Sequence, residues 1–556
     1  MKANPNREGI IMGVLGTTCV ITGAAAFFSF LRQRKLSSIQ AGVVHQSEFF
    51  LEASEELDEG SARDLRKVPH HNSTIDLLAA ADEEEKAKKG TGNLFASPEP
   101  PSRSRTGSLS NWRHPDGKNI GRNSNASWFR GSKENNEAAA KTDLMHTGHI
   151  KGGKLVLCMV GLPGRGKSFI ARKVARYLRW INYRTRVFSI ARFRLEKLGS
   201  KQPAEFFDPE NEENIHQREE ILKDTLEAMM MYLNRGGEVA ILDGTNYTWD
   251  RRELIRERVM KEDGYEVMWI ESIATDSKFI DRSITSMKDS SPDFIERTDF
   301  LKRVTMYEAA YETLQEEEGA WVKVFNGGKR LEINKFNGFL PTKITSFVMN
   351  LQVEARPIFL SRHGESQFNV KGLIGGDSSL SNLGEKYAER LAEWVSNCPE
   401  LPADLLSVWT STMKRTRLTA RNIVCDKKVE WRALREIEVG VCDGLTYNQV
   451  KELFPEEYRA REEDKLRYRY PRGESYLDII NRLEPVLFEI ERQTDPLLIV
   501  GHQAIHRCIY AYFLDLPPEE IPYLSIPLHT VIKLMPKAFG CTEKRFKLLD
   551  GAKHSH

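Results

Sequence analysis

Two stretches of this 556-residue chain combine residue types and spacings suited to moving a phosphoryl group. The first, Gly161-Leu-Pro-Gly164-Arg165-Gly166-Lys167-Ser168, matches G-x-x-x-x-G-K-[ST] and lies between the apolar run LVLCMV and a stretch with helical spacing. Glycines at 161, 164 and 166 let backbone N–H groups approach a phosphate chain, and the start of a helix adds partial positive charge. Lys167 then reaches the terminal phosphates of a nucleotide such as ATP, and Ser168 can hold Mg²⁺. A chance glycine turn is the bland alternative, and the strand-loop-helix context speaks against it. Asp243 closes the apolar run EVAILD, where a carboxylate can orient the metal or accept the nucleophile's proton. A strand-end Asp by itself is more often a turn former; beside a phosphate loop it becomes the favoured acid. Arg218, Thr245, Arg251, Lys288, Arg303 and Tyr307 follow and could clamp an anionic sugar, although each alone reads as surface.

The second stretch is Leu360-Ser-Arg362-His363-Gly364-Glu365, with a histidine beside an arginine at the end of a short apolar run. A lone histidine there is usually structural. Here Val500-Gly501-His502-Gln503 ends another such run and Trp409-Thr-Ser-Thr-Met-Lys-Arg415-Thr a third, so two histidines and two arginines could converge. In that arrangement His363 attacks phosphorus, while Arg362, Arg415 and His502 neutralise the equatorial oxygens, each charged contact contributing about 1.5–3 kcal/mol. Glu436, in Leu434-Arg-Glu-Ile-Glu, is the candidate general acid for the departing sugar oxygen. Without these partners it would read as a surface carboxylate.

The elements that must position these groups follow an α/β pattern. Candidate strands are Leu155 to Val160, Val187 to Ile190, Val239 to Asp243, Glu266 to Ile270 and Val322 to Phe325. Helical spacing appears at Ile170, Val174, Leu178 and at Leu222, Leu226, Met229, Leu233. A second series runs through Pro357 to Ser361, Leu405 to Trp409 and Leu497 to Gly501, which puts a boundary near Asn350 to Arg356. The length calls for two or three folded units. With 40% hydrophobic and 29% charged residues and a net charge of +2, the chain is globular and has no global field to attract nucleic acid. Its seven cysteines are scattered, without the paired spacing of a zinc or redox site, which fits free thiols in a reducing compartment.

Ahead of these units the run Ile10 to Leu31 carries no charge and is long enough to cross a bilayer. It reads as a membrane anchor after a short segment 1–9, with the basic flanks Arg32, Arg34 and Lys35 placing the rest in the cytosol. A cleaved signal or organelle-targeting segment, or a cytoplasmic protein without an anchor, is the alternative. Residues 32–150 are rich in Ser, Asn, Pro and acidic residues and read as a disordered tether. Within it Arg103-Ser-Arg-Thr-Gly-Ser108 has the arginine pattern that a regulatory protein kinase could read, with Ser108 as acceptor; an ordinary polar linker explains it equally well.

Taken in this order, the two sites resemble the bifunctional 6-phosphofructo-2-kinase/fructose-2,6-bisphosphatase family over roughly Lys151 to Leu549. The matching stretches are GLPGRGKS, LDGTN, SSPDF and FLKRVTMYEAAY, then RHGESQFN, IGGDSSLS, WTSTMKRT, EIEVGVCDGLTY, YRYPRGESY, GHQAIHRC and PYLSIPLHTV. The resemblance implies a P-loop NTPase-like, parallel-sheet kinase domain (151–352) followed by a histidine-phosphatase, phosphoglycerate mutase-like α/β domain (353–556). It implies that Gly161, Gly164, Arg165, Gly166, Lys167 and Ser168 bind ATP, with Ser168 and Asp243 on Mg²⁺. Arg194, Arg218, Thr245, Arg251, Lys288, Arg303 and Tyr307 would take fructose 6-phosphate. Arg362, Asn369, Gly375, Arg415, Tyr447, Arg461, Lys465, Tyr476, Gln503 and Arg507 would take fructose 2,6-bisphosphate. His363, Glu436 and His502 would do the chemistry with Arg362 and Arg415, without a metal, and Lys167 and Asp243 would serve the kinase. A homodimer is a further expectation.

The kinase half departs from the family's pattern. Ala191-Arg-Phe-Arg194-Leu195 has lost one of two basic residues, and Asp208 stands where a basic residue is usual before proline. Both changes should weaken fructose 6-phosphate binding and leave ATP binding intact. Three readings follow: a bifunctional enzyme that makes fructose 2,6-bisphosphate and hydrolyses its 2-phosphate, controlling glycolysis and gluconeogenesis; mainly a phosphatase with a weakened kinase; or a membrane-tethered interaction protein with relic domains. A phosphoglycerate mutase would leave the phosphate loop without a purpose.

Overall fold

The computed structural model describes residues 153–288, 294–335, 337–352, 356–537 and 540–552, all within one compact unit. The expected membrane segment 10–31, the tether 32–150 and Ser108 lie outside them. Among the described residues no helix is long and apolar enough to cross a membrane.

Apolar runs buried on both faces dictate parallel central strands. In the first sheet these are β1 (Lys154–Val160), β2 (Thr185–Ser189), β3 (Val239–Asp243), β4 (Tyr265–Ile273) and β5 (Ala320–Phe325), with β6 (Arg330–Asn334) added antiparallel; the order is β2-β3-β1-β4-β5-β6. The expected strand to Ile190 stops at Ser189, because Ile190 opens the helix Ile190–Leu198. In the second sheet β7 (Ile358–Arg362), β8 (Ser407–Ser411), β9 (Lys427–Trp431) and β10 (Leu497–Gly501) are parallel, and β11 (Thr530–Lys537) and β12 (Gly540–Lys547) close one edge antiparallel. Its order, β12-β11-β7-β10-β8-β9, puts the ends of β7, β10 and β8 side by side. The expected strand from Leu405 to Trp409 is shifted to Ser407–Ser411, which leaves Leu405 half exposed.

The two sheets share apolar packing. The helix Lys167–Trp180, which starts at the phosphate loop, buries Ile170, Val174, Tyr177 and Leu178 in one core with Phe347 and with Leu483, Leu487, Tyr512 and Phe513 of the second half. Tyr177 stacks on Phe347 at 4.4 Å, and its hydroxyl donates to Glu484 on the helix Tyr476–Arg492. Glu491, about two turns further along that helix, is buried. It accepts from Lys173 Nζ (2.7 and 3.0 Å), Arg176 Nη2 (3.1 Å) and Tyr512 Oη (2.6 Å). Burial would raise its pKa, but Lys173 and Arg176 outweigh it and hold the carboxyl down at about 2.

Candidate active sites

The loop after β1 is built for close backbone approach. Gly161 has φ +133, and a Cβ there would lie 2.5 Å from the Ser272 carbonyl oxygen, so only glycine fits; its N–H donates to Thr245 O at 3.0 Å. Gly166, left-handed at φ 84, caps the following helix. Lys167 folds back along the loop, donating from Nζ to Leu162 O at 2.6 Å. Burial lowers its pKa to about 7 against the opposing pull of Asp243. Ser168 Oγ donates to Asp243 Oδ1 at 3.0 Å, which joins the two residues expected to share a cation. Among the described residues no cluster of three or more His, Cys, Asp or Glu could hold a metal by itself, so a cation here would draw its remaining ligands from phosphates and water. Asn246, missed in the sequence, donates to Met159 O at 2.8 Å and ties the loop after β3 to β1. Arg172, also missed, lies one turn into the helix and faces Asp243.

These groups open into a cavity of about 1600 Å³ that also takes in Arg194, Arg218, Thr245, Arg251, Arg303 and Tyr307. The sugar-site expectations are therefore brought together, with the exception of Lys288, whose backbone ends the helix Ser277–Lys288 and whose side chain is not described. Arg303 and Arg194 both lie over the Phe207 ring, at 3.7 and 4.9 Å from its centre. Arg218 donates to the carbonyls of Asn214, Phe207 and Asp208 at 3.2, 2.8 and 2.8 Å, so it braces the 204–208 turn as well as lining the cavity. Tyr307 packs edge-on against Tyr247 at 4.7 Å. Leu195 lines the cavity as a neutral residue. Asp208 does not line it; its carboxylate accepts the Glu210 N–H at 2.9 Å in a local turn.

In the second half, Arg362 and His363 at the end of β7, His502 after β10 and Arg415 after β8 are all buried. The rings of His363 and His502 are 5.2 Å apart. His363 Nδ1 lies 2.8 Å from Gly364 O; a carbonyl only accepts, so Nδ1 carries the proton and Nε2 keeps its lone pair. Burial, then Arg415 and Arg362, push its pKa well below the usual value, so the ring is a neutral nucleophile. The same influences keep His502 neutral. Gly364 and Gly384 make the turn possible: a Cβ on Gly384 would lie 2.1 Å from Glu365 O. Glu436 sits at the start of the helix Gln503–Leu514, accepting from Gln503 N (3.0 Å), Ala504 N (3.2 Å) and its neighbour Ile437 N (3.1 Å).

The remaining expected residues form a shell in three parts. Arg507 donates to Tyr476 Oη (3.0 Å) and Leu524 O (2.7 Å), and its charge is felt by Arg362. Arg461 donates to Tyr470 Oη (2.9 Å) and Tyr447 Oη (3.4 Å), while Lys465 pairs with Glu462 at 3.2 Å. Asn369 closes a capping box with Ser366, and Gly375, at φ +76, lies in the loop that Asp443 holds through the Gly376 N–H. Sequence reasoning missed the residues behind this pocket. Ser411 Oγ contacts His502 Nε2 at 2.8 Å, Thr419 Oγ1 accepts the Gly364 N–H at 2.9 Å, His529 Nε2 accepts the Glu365 N–H at 3.0 Å, and His506 Nε2 donates to Ser361 O at 2.8 Å. All four lie inside or beside the matched motifs, which was the available signal.

A phosphate-binding loop paired with a strand-end carboxylate, and a separate pocket of two neutral histidines between arginines, define a nucleotide-dependent kinase fused to a histidine phosphatase. Comparison with known proteins agrees. Residues 142–355 match the 6-phosphofructo-2-kinase family and residues 358–548 the histidine phosphatase superfamily, branch 1. A 6-phosphofructo-2-kinase/fructose-2,6-bisphosphatase of Gallus gallus is 43% identical over 411 residues, covering 72% of this chain and 86% of that protein. Human 6-phosphofructo-2-kinase/fructose-2,6-bisphosphatase 1 matches to the same extent. An Arabidopsis thaliana relative of the same name is 44% identical over 426 residues; the match covers 74% of this chain and 56% of that longer protein. A solved alpha-ribazole phosphatase from Shigella flexneri aligns with 34% of this chain and 96% of its own at 23% identity and a TM-score of 0.31, too distant to argue from. The chain belongs to the 6-phosphofructo-2-kinase/fructose-2,6-bisphosphatase family, and its kinase domain implies ATP as phosphoryl donor.

Proposed function

We propose that this chain is a bifunctional enzyme that transfers a phosphoryl group from ATP to the 2-hydroxyl of fructose 6-phosphate and, in its second domain, hydrolyses the 2-phosphate of fructose 2,6-bisphosphate. The observation that carries the reading is His363: buried between Arg362 and Arg415, neutral, and with Nδ1 committed to Gly364 so that Nε2 is the nucleophile. Nε2 forms the N–P bond as the P–O bond breaks; the electron pair leaves on the sugar oxygen, which takes a proton from Glu436. Glu436, then ionised, deprotonates the water that releases phosphate. Arg362, Arg415 and His502 stabilise the transferring group, with Asn369 and Gln503 beside it, while Tyr447, Arg461, Lys465, Tyr476 and Arg507 hold the other phosphate.

In the kinase domain Lys167 would leave Leu162 O for the phosphates, and Ser168 with Asp243 would hold Mg²⁺. Arg194, Arg218, Thr245, Arg251, Lys288, Arg303 and Tyr307 would receive fructose 6-phosphate. A purified Lys167→Met variant should lose only the kinase and a His363→Ala variant only the phosphatase. Loss of both activities in either variant would refute independent sites.

Leu195 on the cavity wall favours a second reading, a kinase weakened towards fructose 6-phosphate and a protein acting mainly as phosphatase. Kinase rate against fructose 6-phosphate concentration separates the two, and Leu195→Arg should lower KM if the missing charge matters. From sequence alone we also propose that Ile10 to Leu31 anchors the chain with its catalytic domains in the cytosol; extraction of the full chain from membranes by carbonate would overturn that. We likewise propose that Ser108 is phosphorylated and that the chain forms a homodimer, tested by phosphosite mapping and by mass in solution.

A further inference from the structure

His502 is fully buried, and among the described residues its two nitrogens differ: Nε2 lies 2.8 Å from Ser411 Oγ, whereas Nδ1 has no hydrogen-bond partner. An unpartnered polar atom at zero exposure is costly unless something bound satisfies it, and the neighbouring His363 ring, 5.2 Å away, marks where the phosphoryl group goes. To meet a phosphoryl oxygen, Nδ1 must carry a proton. In a neutral ring Nε2 then has only its lone pair and needs a donor from the protein.

Ser411 and Thr416 can supply that donor or withhold it. Ser411 Oγ already accepts the Met413 N–H (3.1 Å) and lies 2.8 Å from Thr416 Oγ1, which is itself within 2.9 Å of Met413 O and 3.1 Å of Ser411 O. Thr416 Oγ1 has one proton to give, to Ser411 Oγ or to a carbonyl, so two proton arrangements of the pair compete. In one, Thr416 donates to Ser411 and Ser411 donates to Nε2, which fixes the proton of His502 on Nδ1. In the other, Thr416 donates to a carbonyl and Ser411 to Thr416, so Ser411 accepts from a protonated Nε2. Passing from one to the other rotates two hydroxyls and moves the His502 proton between Nε2 and Nδ1, with no movement of a protein heavy atom.

We propose that Ser411 and Thr416 are positioning residues, a pair of hydroxyls that sets the tautomer of His502 so that Nδ1–H meets the phosphoryl group while the ring stays neutral. Neutrality matters because the charges facing His502 are mostly positive. Arg362 approaches from the end of β7 and Arg415 from the helix after β8, the His363 and His506 rings beside them are neutral, and Glu436 is the carboxylate placed at the start of the helix that follows His502. A third cation among them would be poorly tolerated before substrate arrives, whereas a neutral donor is not. The inference rests on the phosphatase reading given above.

The test is single-turnover phosphorylation of His363 by fructose 2,6-bisphosphate labelled at the 2-phosphate, followed across pH in the full-length protein. Ser411→Ala should slow phosphohistidine formation roughly tenfold, about the worth of one buried hydrogen bond to a polar group. Substrate affinity should change less, and the variant's rate should rise towards acid, where an imidazolium supplies Nδ1–H without help. Thr416→Val should move in the same direction by less, and Thr416→Ser should restore the native profile. Kinase activity serves as the folding control for each variant. An unchanged rate in Ser411→Ala, or a uniform loss at every pH with the profile's shape preserved, overturns the proposal. If the wild-type chain takes no label on His363, the phosphatase reading itself fails.

Discussion

Glu491 offers a sharp test of how the two halves are held together. Its carboxylate is 2% exposed and accepts from two cations and a tyrosine hydroxyl, with Lys173 and Arg176 contributed by the kinase half and Tyr512 by the phosphatase half. Replacing it with alanine leaves two buried positive charges without an anion. Removing one partner of a buried pair typically costs about 3–5 kcal/mol. The carboxyl's displacement from an ordinary 4.5 to about 2 leads to a similar figure, about 3 kcal/mol. The sign is that of a depressed acid: the stabilisation is complete above about pH 4.5 and is lost as pH falls towards 2. Against a total stability on the order of 5–15 kcal/mol, this is a large share. Urea denaturation read by loss of each activity should show both midpoints falling together in Glu491→Ala. The neutral variant Glu491→Gln should also flatten the acid limb. Adding Lys173→Met to Glu491→Gln should recover part of the loss, because one orphaned cation is gone. A change under about 1 kcal/mol, or a midpoint that falls for only one activity, would refute the view that this cluster binds the halves into one unit.

Two further outcomes are expected. Gly384→Ala would bring a Cβ to 2.1 Å from Glu365 O, against backbone that cannot yield cheaply, so phosphatase activity should collapse while the kinase persists; an active phosphatase would show that the turn has slack. His506 and His529 are held by burial at pKa values near 4, against an ordinary 6.5. For a base kept neutral, that stabilisation is present above about pH 6.5 and is lost as pH falls towards 4, so denaturation midpoints should decline over that window and decline less in His506→Asn.

The sequence made the chemistry legible because both sites sit at strand ends, where apolar runs stop and functional residues begin. LVLCMV before Gly161 and LLIVG before His502 each place their group at the end of a strand, and Asp243 lies where its run predicts. Edge elements were less visible. β6, read as RLEIN, and β12, read as GCTEKRFK, are largely exposed, so neither carries an apolar signature and only pairing with β5 and β11 makes them strands. Ile190 belongs to a helix because the chain turns at Ser189 beside the cavity, a tertiary demand that local β propensity does not register. Contacts such as Lys173 with Glu491, 318 residues apart, leave no trace in spacing. Ser411 is not legible in the sequence because a serine in WTSTMKRT has no feature of its own until the fold sets His502 beside it.

The joint between the halves bears on any attempt to divide the protein. The chain can be cut near residue 353 as a string of letters, but the physical seam runs elsewhere, along Tyr177, Phe347, Leu483 and Phe513. A kinase fragment ending there would show water a wet tyrosine and phenylalanine stripe together with two lone cations, and the complementary fragment would display an isolated carboxylate on a greasy ledge. Engineering one activity out of this molecule is therefore better done by single substitutions within a pocket than by truncation, since each half acts as the other's lid.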